Sequence, residues 1–412
     1  MISYRQYINE SKEDKNVHLE HVEDLILTRG VSGARDSLNF LGSLRNMLAG
    51  HASRQTLNLS SKWDGSPSVI CGINPDNDKF FVGTKGVFAQ NPKLNYTEED
   101  IDKNHPGDGL NKKLKLALRY LPELGIKNVV QGDMMFTKED LKKETIDGVD
   151  YITFHPNTVV YAVPENTGLA KQILSAQLGI VWHTTYTGKS WSDMKASFGA
   201  DVARMNQTKN VWFRDASFVD ASGTATFTLK DTEKLNEYLS QAGNLFRTIS
   251  ARVMNEIATN ETYRIQIMAW NNTKVREGKT IDDTAAHVQA LILHVEDKLN
   301  RAIQEAKKQD TRLKRQQEKT IILNWYKSNR NELKKILDFQ NLLVSAKMMI
   351  VRKLEQVKGV IGTFLKTDDG FKVTNEEGFV AADILSNKAI KLVDRLTFSQ
   401  ANFNATKNWI KT

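Results

Sequence analysis

The stretch SSKWDGSPSV, residues 60–69, decides how the chain is read. A lysine stands two residues before an Asp-Gly turn, and a short apolar run follows directly. Lysine rarely sits beside buried strands, because its ammonium must stay hydrated or paired. Lys62 is therefore either a solvent-facing turn lysine or a reactive amine held in a cleft, and the surrounding sequence has to choose between them.

The 412 residues are enough for two or three domains. Apolar residues make up 40% and charged residues 26%, the balance of a globular chain with a real core. No window approaches the apolar run needed to span a bilayer, so no membrane partner is expected. The opening MISYRQYINESKEDKN is polar and lacks the apolar core of a signal peptide. The one cysteine, Cys71, excludes an internal disulfide framework and a Cys-rich zinc site, and is expected to be buried and inert. These features suit a reducing cytoplasm, a host's if the chain is phage-encoded. The net charge of +8 favours a polyanionic partner.

Residues 17–50 carry apolar side chains at helical spacing, and Gly30 and Gly33 divide them into a helix pair. From about 51 the texture turns to short β-rich runs between turn signals: 67–73, 79–84, 128–136, 158–164, 179–187 and 211–219. A helix is expected over 110–124. Residues 231–358 return to a helical period, and proline is absent from 165 onward. Strand texture reappears at 370–374, 378–384 and 388–394, too little for a domain of its own. The economical arrangement is an α+β chain: a helical N-terminal subdomain (1–50), an antiparallel-sheet domain (51–230 and 359–412), and a helical insertion (231–358).

KWDG is too short to carry weight alone. Order and context add to it. GTKG (83–86) places a glycine-flanked cation after a strand, and QGDMMF (131–136) an acid on an apolar strand. EEGFVA (376–381) gives another acid before Gly and an apolar strand, and KAIKLVDR (388–395) a final strand with two lysines. This ordered set resembles the covalent nucleotidyltransferase superfamily: ATP-dependent DNA and RNA ligases and mRNA capping enzymes. The resemblance covers roughly 51–190 and 370–400, about two fifths of the chain, and leans toward RNA ligases and phage-type ligases.

The resemblance implies an ATP-grasp-like ligase domain with Lys62 as the nucleophile. Asp64 and Gly65 complete its motif. Lys85 falls where the family usually has arginine, and Asp133 where it usually has glutamate. Tyr161 is the candidate for the ring that stacks on the base, with Phe154 as competitor. Glu377 matches the metal-binding acid, with Asp133 able to bind metal or ribose. Lys388 and Lys391 match the last Lys-rich strand, although two residues intervene here where one is usual. ATP and Mg²⁺ (or Mn²⁺) are the implied cofactors.

The chemistry accounts for these residue types. An amine must attack the α-phosphate of a nucleotide and expel pyrophosphate, and an ammonium with pKa ~10.4 cannot do so. Desolvation and neighbouring cations lower that pKa, and the same positive field steadies the phosphate. Mg²⁺ is held mainly by phosphate oxygens and one or two carboxylates. His183 is open to two readings, a satisfied strand histidine or a cleft residue.

Residues 298–335 hold twelve Lys or Arg against four acids. Lys307, Lys308, Arg312, Lys314, Arg315 and Lys319 are the candidates for a phosphate-backbone contact, with Trp325 and Tyr326 among them. A protein-binding surface and a plain solvated helix are the alternatives. The chain ends about twenty residues after Lys391, leaving no room for the OB-fold of DNA ligases and capping enzymes. The expectation is an ATP-dependent polynucleotide ligase, monomeric, acting on RNA or a nicked duplex. A DNA nick ligase and an inactive nucleic-acid-binding or virion protein of the same fold are the rivals.

Overall fold

The computed structural model describes residues 19–49, 57–216, 226–355, 361–367, 370–373, 378–383 and 388–396. In chain order its strands are β1 (Glu20–His21), β2 (Leu57–Lys62), β3 (Ser68–Ile73), β4 (Phe80–Gly83), β5 (Val129–Thr137), β6 (Lys142–Ile146), β7 (Val149–Phe154), β8 (Val159–Pro164), β9 (Leu178–Thr187), β10 (Lys195–Phe198), β11 (Val211–Asp215), β12 (Gly362–Thr367), β13 (Gly370–Val373), β14 (Gly378–Asp383) and β15 (Lys388–Leu392). Its helices are α1 (Leu25–Leu48), α2 (Glu98–Asn104), α3 (Asp108–Tyr120), α4 (Gly168–Ser175), α5 (Leu229–Phe246), α6 (Ala251–Thr259), α7 (Glu261–Arg276), α8 (Thr284–Gln304), α9 (Gln309–Ser328) and α10 (Arg330–Leu354).

The strands form three sheets, ordered β1-β15-β14-β2, β10-β9-β5-β3-β4 with β11 also on β9, and β13-β12-β8-β7-β6. Pairing is antiparallel except for β1 with β15 and β11 with β9. The chain is thus a mixed α+β protein with largely antiparallel sheets. The late strands do complete sheets begun much earlier: β14 joins β2 and β12 joins β8.

The first sheet shows why the helices matter to the site. Side chains alternate across a strand. Leu59, Phe379, Ala381, Ile390 and Leu392 enter one core with α1 and helices α5 to α10. Ser60, Lys62, Val380 and Lys391, from the opposite parity, line a cleft. The helical segment is therefore the backing layer of the sheet that carries Lys62.

The N-terminal helical region is not a separate body. Val22 to Leu48 share that core with the later helices. The expected helix pair is present within α1: Gly30 breaks the helical backbone with φ 61° and ψ −133°, a conformation no β-branched residue would adopt readily, while Gly33 continues the second helix. A Cβ there would lie 2.4 Å from Asn255 Oδ1, so Gly30 also lets α6 approach. The later helices carry ordinary N-terminal signals: Thr228 and Asp231 form a capping box on α5, and Ser250, Asn260 and Asp283 cap α6, α7 and α8. Among the described residues no helix is long and apolar enough to cross a membrane.

Candidate functional site

Lys62 ends β2, and its geometry is fixed on both sides. Its backbone pairs with Gly378 of β14. One residue earlier, Ser61 N–H donates to the carbonyl of Ala216 at 2.8 Å, tying β2 to the end of β11 in the second sheet. The following turn is held by Asp64. Its carboxylate accepts from Asn157 Nδ2 at 2.7 Å and from the N–H groups of Thr158 and Val159 at 2.6 and 2.9 Å. Its own N–H donates to the Tyr161 hydroxyl at 2.7 Å. Ser66 N–H donates to Met134 O and Met134 N–H to Pro67 O, which seats the turn on β5.

The cleft between the first and second sheets encloses about 300 Å³. Lys62 and Lys391 enter it from the first sheet, and Asp133 (β5) and His183 (β9) from the second. Ser68, Gln131 and Tyr186 complete that wall. Gln131 is locked: its Nε2 donates to Ser68 Oγ at 2.9 Å and its Oε1 accepts from the Tyr186 hydroxyl at 2.6 Å. His183 Nε2 lies 3.6 Å from Asp133 Oδ1, and its Nδ1 lies 2.8 Å from Thr184 Oγ1.

Burial pushes the Asp133 carboxyl up, but the charges of His183 and Lys62 and hydrogen bonds from His183 and Ser68 outweigh it. The net shift is below the ordinary aspartate value, so Asp133 is a carboxylate at neutral pH. The Asp133 carboxylate and the side chains of Lys62 and Lys391 thus line one cleft.

Several candidate residues lie elsewhere. Tyr161 is fully buried, stacked between Trp63 (5.2 Å between centroids) and Phe154 (5.4 Å) beneath the turn, so neither it nor Phe154 faces the cleft. The rings that do are Trp63, His183, Tyr186 and Phe198. Asp64 likewise turns inward and shapes the loop. A Cβ on Gly65 would lie 2.6 Å from Asp133 Cβ, so the glycine admits β5. Lys85 opens a short 3₁₀ turn after the edge strand β4, is exposed, and does not line the cleft. Lys388 starts β15 with its backbone paired to Asp383, and its side chain lies outside the described part. Glu377 lies outside the described residues. Among those described, no three His, Cys, Asp or Glu cluster as a metal cage. Asp133 is the cleft carboxylate, which suits a cation whose remaining ligands are phosphate oxygens.

The basic segment runs from the end of α8 through α9 into the start of α10, with α8 and α9 packed as a helical hairpin. Half of its candidate cations are occupied within it. Arg312 and Arg315 donate to the carbonyls of Ala306 and Ala302, and Lys319 reaches Asn300 at 2.7 Å and Glu296 at 3.4 Å. Lys307, Lys308 and Lys314 are exposed. Trp325 stacks on Tyr263 at 3.9 Å and Tyr326 is buried, so both serve packing.

Fold and cleft together define an α+β protein that carries a lysine-bearing site between two sheets. The chain belongs to DUF6267, a family of unknown function, whose model matches residues 16–407. No curated protein and no solved structure matches it.

Proposed function

We propose that the chain is a covalent nucleotidyltransferase, and within that class an ATP-dependent polynucleotide ligase acting first on RNA ends. The observation that carries this reading is the convergence of Lys62, Asp133 and Lys391. They come from three strands in two sheets, span most of the sequence, and line one cavity.

In the proposed step the neutral amine of Lys62 attacks the α-phosphorus of ATP. A P–N bond forms, the bond to the bridging oxygen breaks, pyrophosphate leaves, and the amine proton passes to solvent. Lys391 raises the positive field, which favours the unprotonated amine and steadies the phosphate's charge. Mg²⁺ supplies charge neutralisation when bound, and Asp133 is the residue that would hold it. The AMP then passes to a 5′-phosphate, and a 3′-hydroxyl displaces it to join the strand.

The cleft volume of about 300 Å³ is at the lower edge of small-ligand sites, adequate for one nucleotide. The exposed Lys307, Lys308 and Lys314 offer a separate contact for a phosphate backbone. The test is intact mass after incubation with ATP and Mg²⁺. One AMP adduct, absent in Lys62→Ala, is the expected result. An adduct that survives Lys62→Ala rejects Lys62 as the nucleophile, and no adduct rejects the mechanism and leaves the inactive binding protein. Matched RNA and DNA nicks then separate the RNA ligase from the DNA nick ligase.

A further inference from the structure

A second cavity, of about 410 Å³, lies where α7 and α10 meet the chain that leaves β15. Its size is that of a small-ligand site. Its walls are largely apolar, with Tyr238, Leu337, Met348 and Met349 providing a soft surface that adapts to a flat ring. Its charged groups are out of balance. Lys274 and Lys279 share a single carboxylate, Glu277, at 2.9 and 3.5 Å. Arg352 makes no ion pair among the described residues, and it is exposed. At the inner end, Gln340 is 6% exposed; its Nε2 donates to the Glu23 carbonyl at 2.9 Å while its Oε1 finds no partner among the described residues.

This cavity adjoins the Lys62 cleft through two paired segments. Leu19 and Lys391 line the cleft, His21 pairs with Lys391, and Glu23, Asp24, Asp394 and Arg395 line the second cavity. A buried ion pair, Lys347–Glu23 at 2.8 Å, and a partly buried one, Arg395–Asp24 at 3.1 Å, hold those segments to α10 and to each other. These pairs neutralise the inner charges, Lys274 and Lys279 share Glu277, and Asp394 is a further carboxylate, so the cations exceed the acids by one and Arg352 stands without an ion pair among the described residues.

We propose that the second cavity binds a phosphorylated ligand of nucleotide size, its flat body against the methionines and its phosphate on Arg352, Lys274 and Lys279. A nucleobase combines the three properties the walls call for: a flat apolar face, N–H donors and an attached anion. The source is either a free nucleotide or the terminal nucleotide of a strand, and the two share this chemistry.

The test is equilibrium dialysis of the full-length chain carrying Lys62→Ala, with radiolabelled ADP in one arm and a 5′-phosphorylated dinucleotide in the other. A binding component is expected that Arg352→Glu with Lys279→Glu weakens at least tenfold and Lys391→Glu leaves in place. Its appearance with ADP assigns a free nucleotide; its appearance with the dinucleotide alone assigns a strand end. Lys195→Glu with Lys209→Glu, an equal change of charge elsewhere, should leave the component intact. If neither probe's binding responds to Arg352→Glu with Lys279→Glu, or the control pair weakens it equally, no such site exists. The component is read without any Lys62 adduct, so this site and the adenylation reading fail separately.

Discussion

His183 Nε2 stands 3.6 Å from Asp133 Oδ1 across the β9–β5 pair, with each residue on the wall of the same cleft. The contact, with Lys62 and Ser68, draws the Asp133 pKa below its ordinary value against the opposing effect of burial. Replacing His183 by Ala removes that pull, so the Asp133 pKa rises. The acid limb of Lys62 adduct formation should then move to higher pH, and the rate near neutrality should change less than the rate in acid. Label incorporation from ATP across about pH 4–8 measures it. Superimposable acid limbs in the two proteins would show that the pair has no part in the reaction.

The turn after Lys62 depends on Asp64, whose carboxylate accepts from three donors. Asp64→Ala strands two backbone N–H groups and the Asn157 amide, and should cost about 2–4 kcal/mol of stability. Lys62→Ala should cost less than about 1 kcal/mol, because the half-buried Lys62 lines an open cleft and the proposed mechanism asks it for chemistry and not packing. Urea denaturation compares them. Equal losses would mean that Lys62 is structural.

Gly378 faces Lys62 across the ladder with a φ of +147°. An added Cβ would lie 2.5 Å from the Leu392 carbonyl oxygen, a backbone atom that cannot step aside cheaply. Gly378→Ala should destabilise the chain by about 1–3 kcal/mol and lower adduct formation at least tenfold by displacing the end of β2. A variant with normal stability and full labelling contradicts the register.

His21 pairs with Lys391, and its Nδ1 is sealed from solvent without a partner among the described residues. Burial lowers its pKa from 6.5 to about 3; Glu23 pulls the other way, while Arg395, Lys347 and Lys391 reinforce the drop. A depressed folded pKa means that its contribution is whole above 6.5 and is lost as pH falls toward 3. Asp24 has the opposite sense: burial raises its pKa to about 6, so its contribution is present below the ordinary aspartate range and fades as pH rises through 6. Comparison with His21→Gln cancels the Asp24 effect. The wild type should lose stability relative to the variant on acidification, by at most about 1.4 kcal/mol per pH unit. Parallel melting curves across the range would refute it.

The sequence reveals Lys391 and Asp133 because charge on an otherwise apolar strand stands out, and Lys62 because it precedes an Asp-Gly turn. The aromatic wall is hidden for the opposite reason. VVYAV in β8 is buried on both faces, so no alternation tells which way Tyr161 points. Trp63, beside Lys62, gives no stronger signal, although it lines the cleft. β2 itself is hard to recognise: LNLSSK has two apolar residues, and its partner β14 lies 320 positions away. Among the basic residues 298–335 the surplus charge is plain, but the diversion of Arg312 and Arg315 to carbonyls in the loop after α8 and at the end of α8 needs the hairpin to be known.

The pairing of β2 with β14 sets an order of events during synthesis. A ribosome that has delivered everything through α10 has produced Lys62, Asp133 and His183 but neither β14 nor β15 to seat β2. Long-range pairing of this kind forms late. A nascent chain should therefore hold its central sheet and helices while remaining unable to take up label, and competence should arrive abruptly with the last strands.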